Sequence, residues 1–188
     1  MVLARPTAAV CALAVTAVLG LSACGHPSDE AGIEEPAREG LAIPIGGIEY
    51  NVFITRQINQ EIVPDDAFYQ GEDPGKDQTL YGVFLQACNH GEEPLGTADT
   101  FKVTDNQDNE FEPIELPTTN HFSYQPRVLD PDECIPESGG VAQQGPTGSS
   151  MLLFQLPVDS TENRPLELEI TSPPGADEQE TRTIELDL

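Results

Sequence analysis

Beyond residue 46 the apolar positions fall into short runs, most of them with a period of two. Ile48, Tyr50, Val52 and Ile54 alternate with Glu49, Asn51 and Thr55, and Phe53 is the one departure. Such alternation predicts a half-buried strand. Leu166, Leu168 and Ile170 alternate with Glu167 and Glu169, and Ile184, Leu186 and Leu188 with Glu185 and Asp187, so each run predicts a strand with one dry face. The stretch from Leu80 to Cys88 is almost continuously hydrophobic, as is Ser150 to Leu156. Continuous runs of this length predict central strands covered on both sides. Phe101–Thr104 and Glu110–Phe111 flank Asp105–Asn109 as the arms of a hairpin flank its turn. The reading is all-β: an antiparallel β-sandwich of about seven strands over residues 47–188.

The intervals carry turn chemistry. Ile62 to Asp77 contains Pro64, Pro74 and Gly75 among acidic residues and predicts an exposed loop, with the direction of Phe68 and Tyr69 left open. Ser138 to Gly148 is uncharged and glycine-rich, which suits linker slack ahead of a recognition loop.

The front of the chain follows a different pattern. Residues 1–23 hold one charge, Arg5, then an apolar run from Thr7 to Leu21 ending in small residues. A membrane-spanning helix needs about 20 apolar residues, and this run is shorter, so a cleaved signal peptide is expected. Leu21-Ser22-Ala23-Cys24 resembles the lipobox of bacterial lipoproteins. That resemblance implies that Cys24 becomes the new N-terminus and carries acyl chains, two or more of which hold a protein stably at a bilayer. From Cys24 to residue 46 neither period is evident, so residues 24–46 are expected to form an acidic flexible linker.

From about residue 47 onward several blocks resemble a small immunoglobulin-like domain of unknown function, common in bacterial surface lipoproteins and similar to mycobacterial immunoprotective antigens. The blocks are Leu80–Cys88 running into Asn89–Leu95, Phe101–Asp105, Phe111-Glu112-Pro113, Leu153–Pro157 and Leu166–Ile170. The chain has Asp108-Asn109 where the family has an Asp-Gly hairpin tip, and an insertion from Pro131 to Ser149 that carries Cys134. The resemblance implies an immunoglobulin-like sandwich and lends no catalytic residues.

Charge narrows the partners. The chain has 33 acidic and 8 basic residues, a formal net charge of −25, and loss of the signal peptide removes one more cation. Such a surface repels nucleic acid and anionic polymers and favours solvation, with a basic protein partner as the specific alternative. A monomer is expected, tied to the lipid bilayer through Cys24 on the extracytoplasmic face of the cell membrane.

Four cysteines are present. Cys11 leaves with the signal and Cys24 takes the lipid, so Cys88 and Cys134 remain as an even pair in an oxidising location. A disulfide between them is expected, with two free thiols as the alternative. Asp105, Asp108 and Glu110 share one loop, but Gln107 stands at an alternate ligand position, so a solvated hairpin outranks a calcium site. His90, His121, Met151 and the two cysteines lack the spacing of a zinc or copper centre. Ser149 and Ser150 lie outside any nucleophile elbow. No cofactor, metal or catalysis is expected. The function so read is a non-enzymatic envelope lipoprotein serving protein interaction or envelope maintenance; the alternative is a solute- or calcium-binding receptor lipoprotein.

Overall fold

The computed structural model describes residues 36–187 apart from 174, 177 and 178. The signal peptide and Cys24 lie outside the described residues. Two sheets stack face to face, as the period-two pattern predicts. The first contains β1 (Ala37–Arg38), β6 (Thr100–Thr104), β7 (Glu110–Phe111), β11 (Leu166–Thr171) and β12 (Thr181–Leu186), in the order β1-β12-β11-β6-β7. The second contains β2 (Ala42–Ile45), β3 (Ile48–Ile58), β4 (Gln78–Cys88) and β10 (Ser150–Pro157), in the order β10-β4-β3-β2, and β9 (Cys134–Ile135) pairs with the far end of β4. β5 (Leu95–Gly96) and β8 (Val128–Leu129) form a separate ribbon. Among the described strands the pairings are antiparallel except that of β1 with β12, which is parallel.

The sheets begin at Ala37, inside the stretch expected to be linker. Ala37 and Arg38 join the edge of the first sheet, and the chain then crosses to the edge of the second as β2. Gly46-Gly47, both at positive φ, turn β2 into β3 in a two-residue hairpin. A Cβ on Gly47 would stand 2.9 Å from Leu95 Cδ1, a side-chain end that can shift, so the turn requires glycine on torsional grounds.

The first sheet is amphipathic. Leu166, Leu168, Ile170, Ile184, Leu186, Phe101 and Val103 face the second sheet and are buried. Glu167, Glu169 and Lys102 face water, and the Lys102 ammonium lies 2.7 Å from Glu110 and 3.1 Å from Glu169.

The second sheet is apolar on both faces, which explains the continuous runs. Val83, Leu85 and Ala87 of β4 and Leu152, Phe154 and Leu156 of β10 point into the core between the sheets. Their neighbours Leu80, Phe84, Met151 and Leu153 point the other way, into a second core closed by Phe68, Leu116 and Phe122 from two long connections. Burying each such side chain contributes about 1.5–3 kcal/mol relative to exposure. The second core needs no third sheet, because ordered loops cover it.

A bulge decides how β3 serves these two cores. Val52 opposes Leu85 and Ile54 opposes Phe84, so Phe53 is an extra residue between them. One added residue inverts the phase of everything after it. Ile48, Tyr50 and Val52 are buried, whereas Ile54, expected on the same dry face, is 41% exposed and the inward position passes to Thr55.

The segment 138–148 is more ordered than slack. Gln144 donates to the Gly140 and Gly139 carbonyls, Gly145 to Ala142, and Ala142 is buried.

Candidate functional site

Cys88 and Cys134 stand opposite one another in the β4–β9 ladder and are joined by a disulfide. The bond pins the inserted segment to the central strand. Next to it the buried Asn89 donates from Nδ2 to the Leu129 and Glu93 carbonyls and accepts the Gly91 N–H at Oδ1. One side chain thus organises the turn that follows β4.

The acidic hairpin loop is tied within itself and to Asn163 and Arg164. Asp105 Oδ1 accepts the Gln107 and Asn109 N–H groups at 2.9 and 3.0 Å, and Oδ2 accepts the amides of Asn109 and Asn163 at 2.8 and 3.3 Å. Burial raises its pKa, but the donors from Asn109, Gln107 and Asn163 prevail and hold it at about 2. Asp108 takes the left-handed turn position at φ 62°, and Glu110 pairs with Lys102. The three carboxylates therefore do not converge. His90 is exposed beside Glu49, and Met151 lies in the second core, so these too are apart. Among the described residues no group of three or more His, Cys, Asp or Glu could hold a metal ion.

A pronounced concavity lies elsewhere, where β3 runs out into the loop to β4. It is a cleft of about 510 Å³ lined by Arg56, Gln57, Gln60, Glu61, Ile62, Asp73 and Gln78, among others. Arg56 sits on the outer face of β3, past the bulge that redirected the strand. Its guanidinium donates to both Asp65 oxygens, at 2.9 and 2.5 Å, and lies 5.5 and 5.3 Å from the ring centroids of Phe68 and Phe84. Asp65 is buried, also accepts the Asn59 N–H at 3.0 Å, and is held below the usual carboxylate range chiefly by Arg56.

Phe68 makes edge-to-face contacts with Phe84 and Phe122 at 5.1 and 4.9 Å, and its carbonyl accepts the Asn120 amide. Its direction, open in the sequence, is inward. Because the Arg56 charge is matched by Asp65, the cleft presents amides and the carboxylates of Glu61 and Asp73 rather than an anion-binding cation. Histidine, cysteine and serine are not among its lining residues. Such a lining suits recognition by hydrogen bonds and charge. Sequence reading missed this arrangement. The available signal was Arg56 itself, one of 8 cations in the chain, placed in a strand just before an acidic loop.

No family model matches the chain, and no curated protein matches it. Among solved structures the chain is similar to the yjhA protein of Bacillus subtilis (TM-score 0.47, 10% identity, covering 80% of this chain and 99% of that one). It is also similar to an uncharacterised β-sandwich protein of Clostridium difficile (0.45, 13%, 82% and 97%) and to a functionally unknown protein of Listeria monocytogenes (0.49, 8%, 81% and 85%).

Proposed function

We propose that this chain is a non-enzymatic cell-envelope lipoprotein, held at the extracytoplasmic face of the membrane by acyl chains on Cys24, whose acidic sandwich works by binding a protein partner. The observation that carries this reading is the Cys88–Cys134 disulfide. Disulfides persist in oxidising compartments, and the Leu21-Ser22-Ala23-Cys24 motif would deliver the domain to one. The net charge of −25 supports a basic partner and speaks against nucleic acid. A calcium receptor has weaker support, because both Asp105 oxygens already accept hydrogen bonds.

The test is membrane fractionation of the full chain beside Cys24→Ala. The native sequence should sediment with membranes and the variant should appear in the soluble extracytoplasmic fraction. Retention of Cys24→Ala with the membrane would contradict the anchor.

A further inference from the structure

The connection between β3 and β4, residues 59–77, is firmly held and at the same time shows apolar side chains to water. The paired Arg56 and Asp65, the stacked Phe68 and the Gln60 amide on the Gly71 carbonyl fix its path. Its tip nevertheless leaves Ile62 and Val63 54% and 82% exposed. A connector needs no such support. Apolar side chains on a pre-ordered loop bind with little further loss of entropy, which is where interface energy concentrates.

The cleft beside that tip defines what would sit there. Gln57 and Gln78 line it with amides that make no hydrogen bond among the described residues, and amides complement a peptide main chain in both donor and acceptor roles. Glu61 and Asp73 supply negative charge, while the one lining cation, Arg56, is already matched by Asp65. With the chain at −25 overall, an acidic or phosphorylated segment would be repelled. We infer that the cleft and its Ile62–Val63 rim form the docking surface for an extended segment of another protein that carries lysine or arginine beside a hydrophobic residue. This rests on the reading of the chain as a binding domain and adds where the partner sits and what it presents.

The test uses the full chain and a short synthetic peptide alternating lysine and valine, with a glutamate–valine peptide and an oligolysine as controls. Fluorescence anisotropy measures affinity, and amide chemical shifts locate the peptide. The lysine–valine peptide should bind, shift amides within 56–62 and 73–80, and bind at least about tenfold more weakly to Ile62→Ser and Val63→Ser, whose melting temperatures should match the parent. The glutamate–valine peptide should not bind.

Absence of binding, equal binding by parent and variants, or equal binding of oligolysine with shifts scattered over the acidic surface would overturn the assignment. A dimer in sedimentation that Val63→Ser dissociates would give the surface to a second copy and overturn it equally. Membrane fractionation of Cys24→Ala is independent of every one of these outcomes, so failure of the docking site and failure of the anchored-lipoprotein reading are told apart.

Discussion

The hydroxyls of Tyr50 and Tyr124 grip the two sides of one residue: Tyr50 accepts the Ala98 N–H at 2.6 Å and Tyr124 donates to the Ala98 carbonyl at 3.0 Å. Both phenols are buried in the core between the sheets, so together they tie the approach to β6 onto β3. Tyr50→Phe leaves a buried N–H without an acceptor, and a loss of about 1–3 kcal/mol in urea unfolding is expected. Tyr124→Phe should cost a similar amount, and the double variant less than the sum, because the two share Ala98.

Burial raises the pKa of both phenols, Tyr124 well above the ordinary value. A raised folded pKa means that the unfolded chain ionises first. Stability from these groups is therefore intact below the unfolded tyrosine pKa of about 10 and falls as pH rises past it. Ultraviolet titration should show two of the four tyrosines ionising only as the protein unfolds.

Asp105 acts at the opposite end of the pH scale. Its folded pKa of about 2 lies below the unfolded carboxylate value, so its contribution is present above about pH 4 and is lost as pH falls toward 2. Asp105→Ala strips the acceptor from three donors in the β6–β7 loop and from the Asn163 amide, and should cost about 2–3 kcal/mol at neutral pH. The deficit should shrink in acid, as denaturation at successive pH values would show.

Asp65→Asn keeps an acceptor for Asn59 but removes the charge opposite Arg56. The expected loss is about 1–3 kcal/mol, because the guanidinium retains the Phe68 and Phe84 rings and is partly solvated. Limited proteolysis should cut the variant faster than the parent within residues 59–77, and equal rates would show that the pair does not hold the loop.

The disulfide closes a loop with a sequence separation of 46, worth about 4 kcal/mol in the chain-entropy account. Cys88→Ala with Cys134→Ala should lower stability by an amount of that order, measured by urea unfolding of parent and double variant under non-reducing conditions.

Much of the fold was legible because strand patterning is local. Leu80–Cys88 reads as covered on both sides, and Phe84 and Val83 do face different cores. The Phe101–Thr104 hairpin to Glu110–Phe111 also reads correctly, since its partners are neighbours in sequence. Ile54 misleads because a bulge at Phe53 leaves no trace in a period-two pattern apart from one misplaced aromatic. β1 was hidden because its partner is distant in sequence: Ala37 pairs with Ile184. A local signal for β2 was present in Gly46-Gly47 between apolar residues. The cleft joins Arg56 and Asp65 through a part-buried ion pair, and no spacing rule announces one.

Mass spectrometry of the protein recovered from the membrane fraction, before and after reduction, decides whether this is a lipid-anchored, disulfide-closed domain. The expected result is an N-terminal peptide that begins at an acylated Cys24 and a gain of two hydrogens on reduction of Cys88–Cys134. An unmodified N-terminus on soluble cytosolic protein whose Cys88 and Cys134 are free thiols would contradict it.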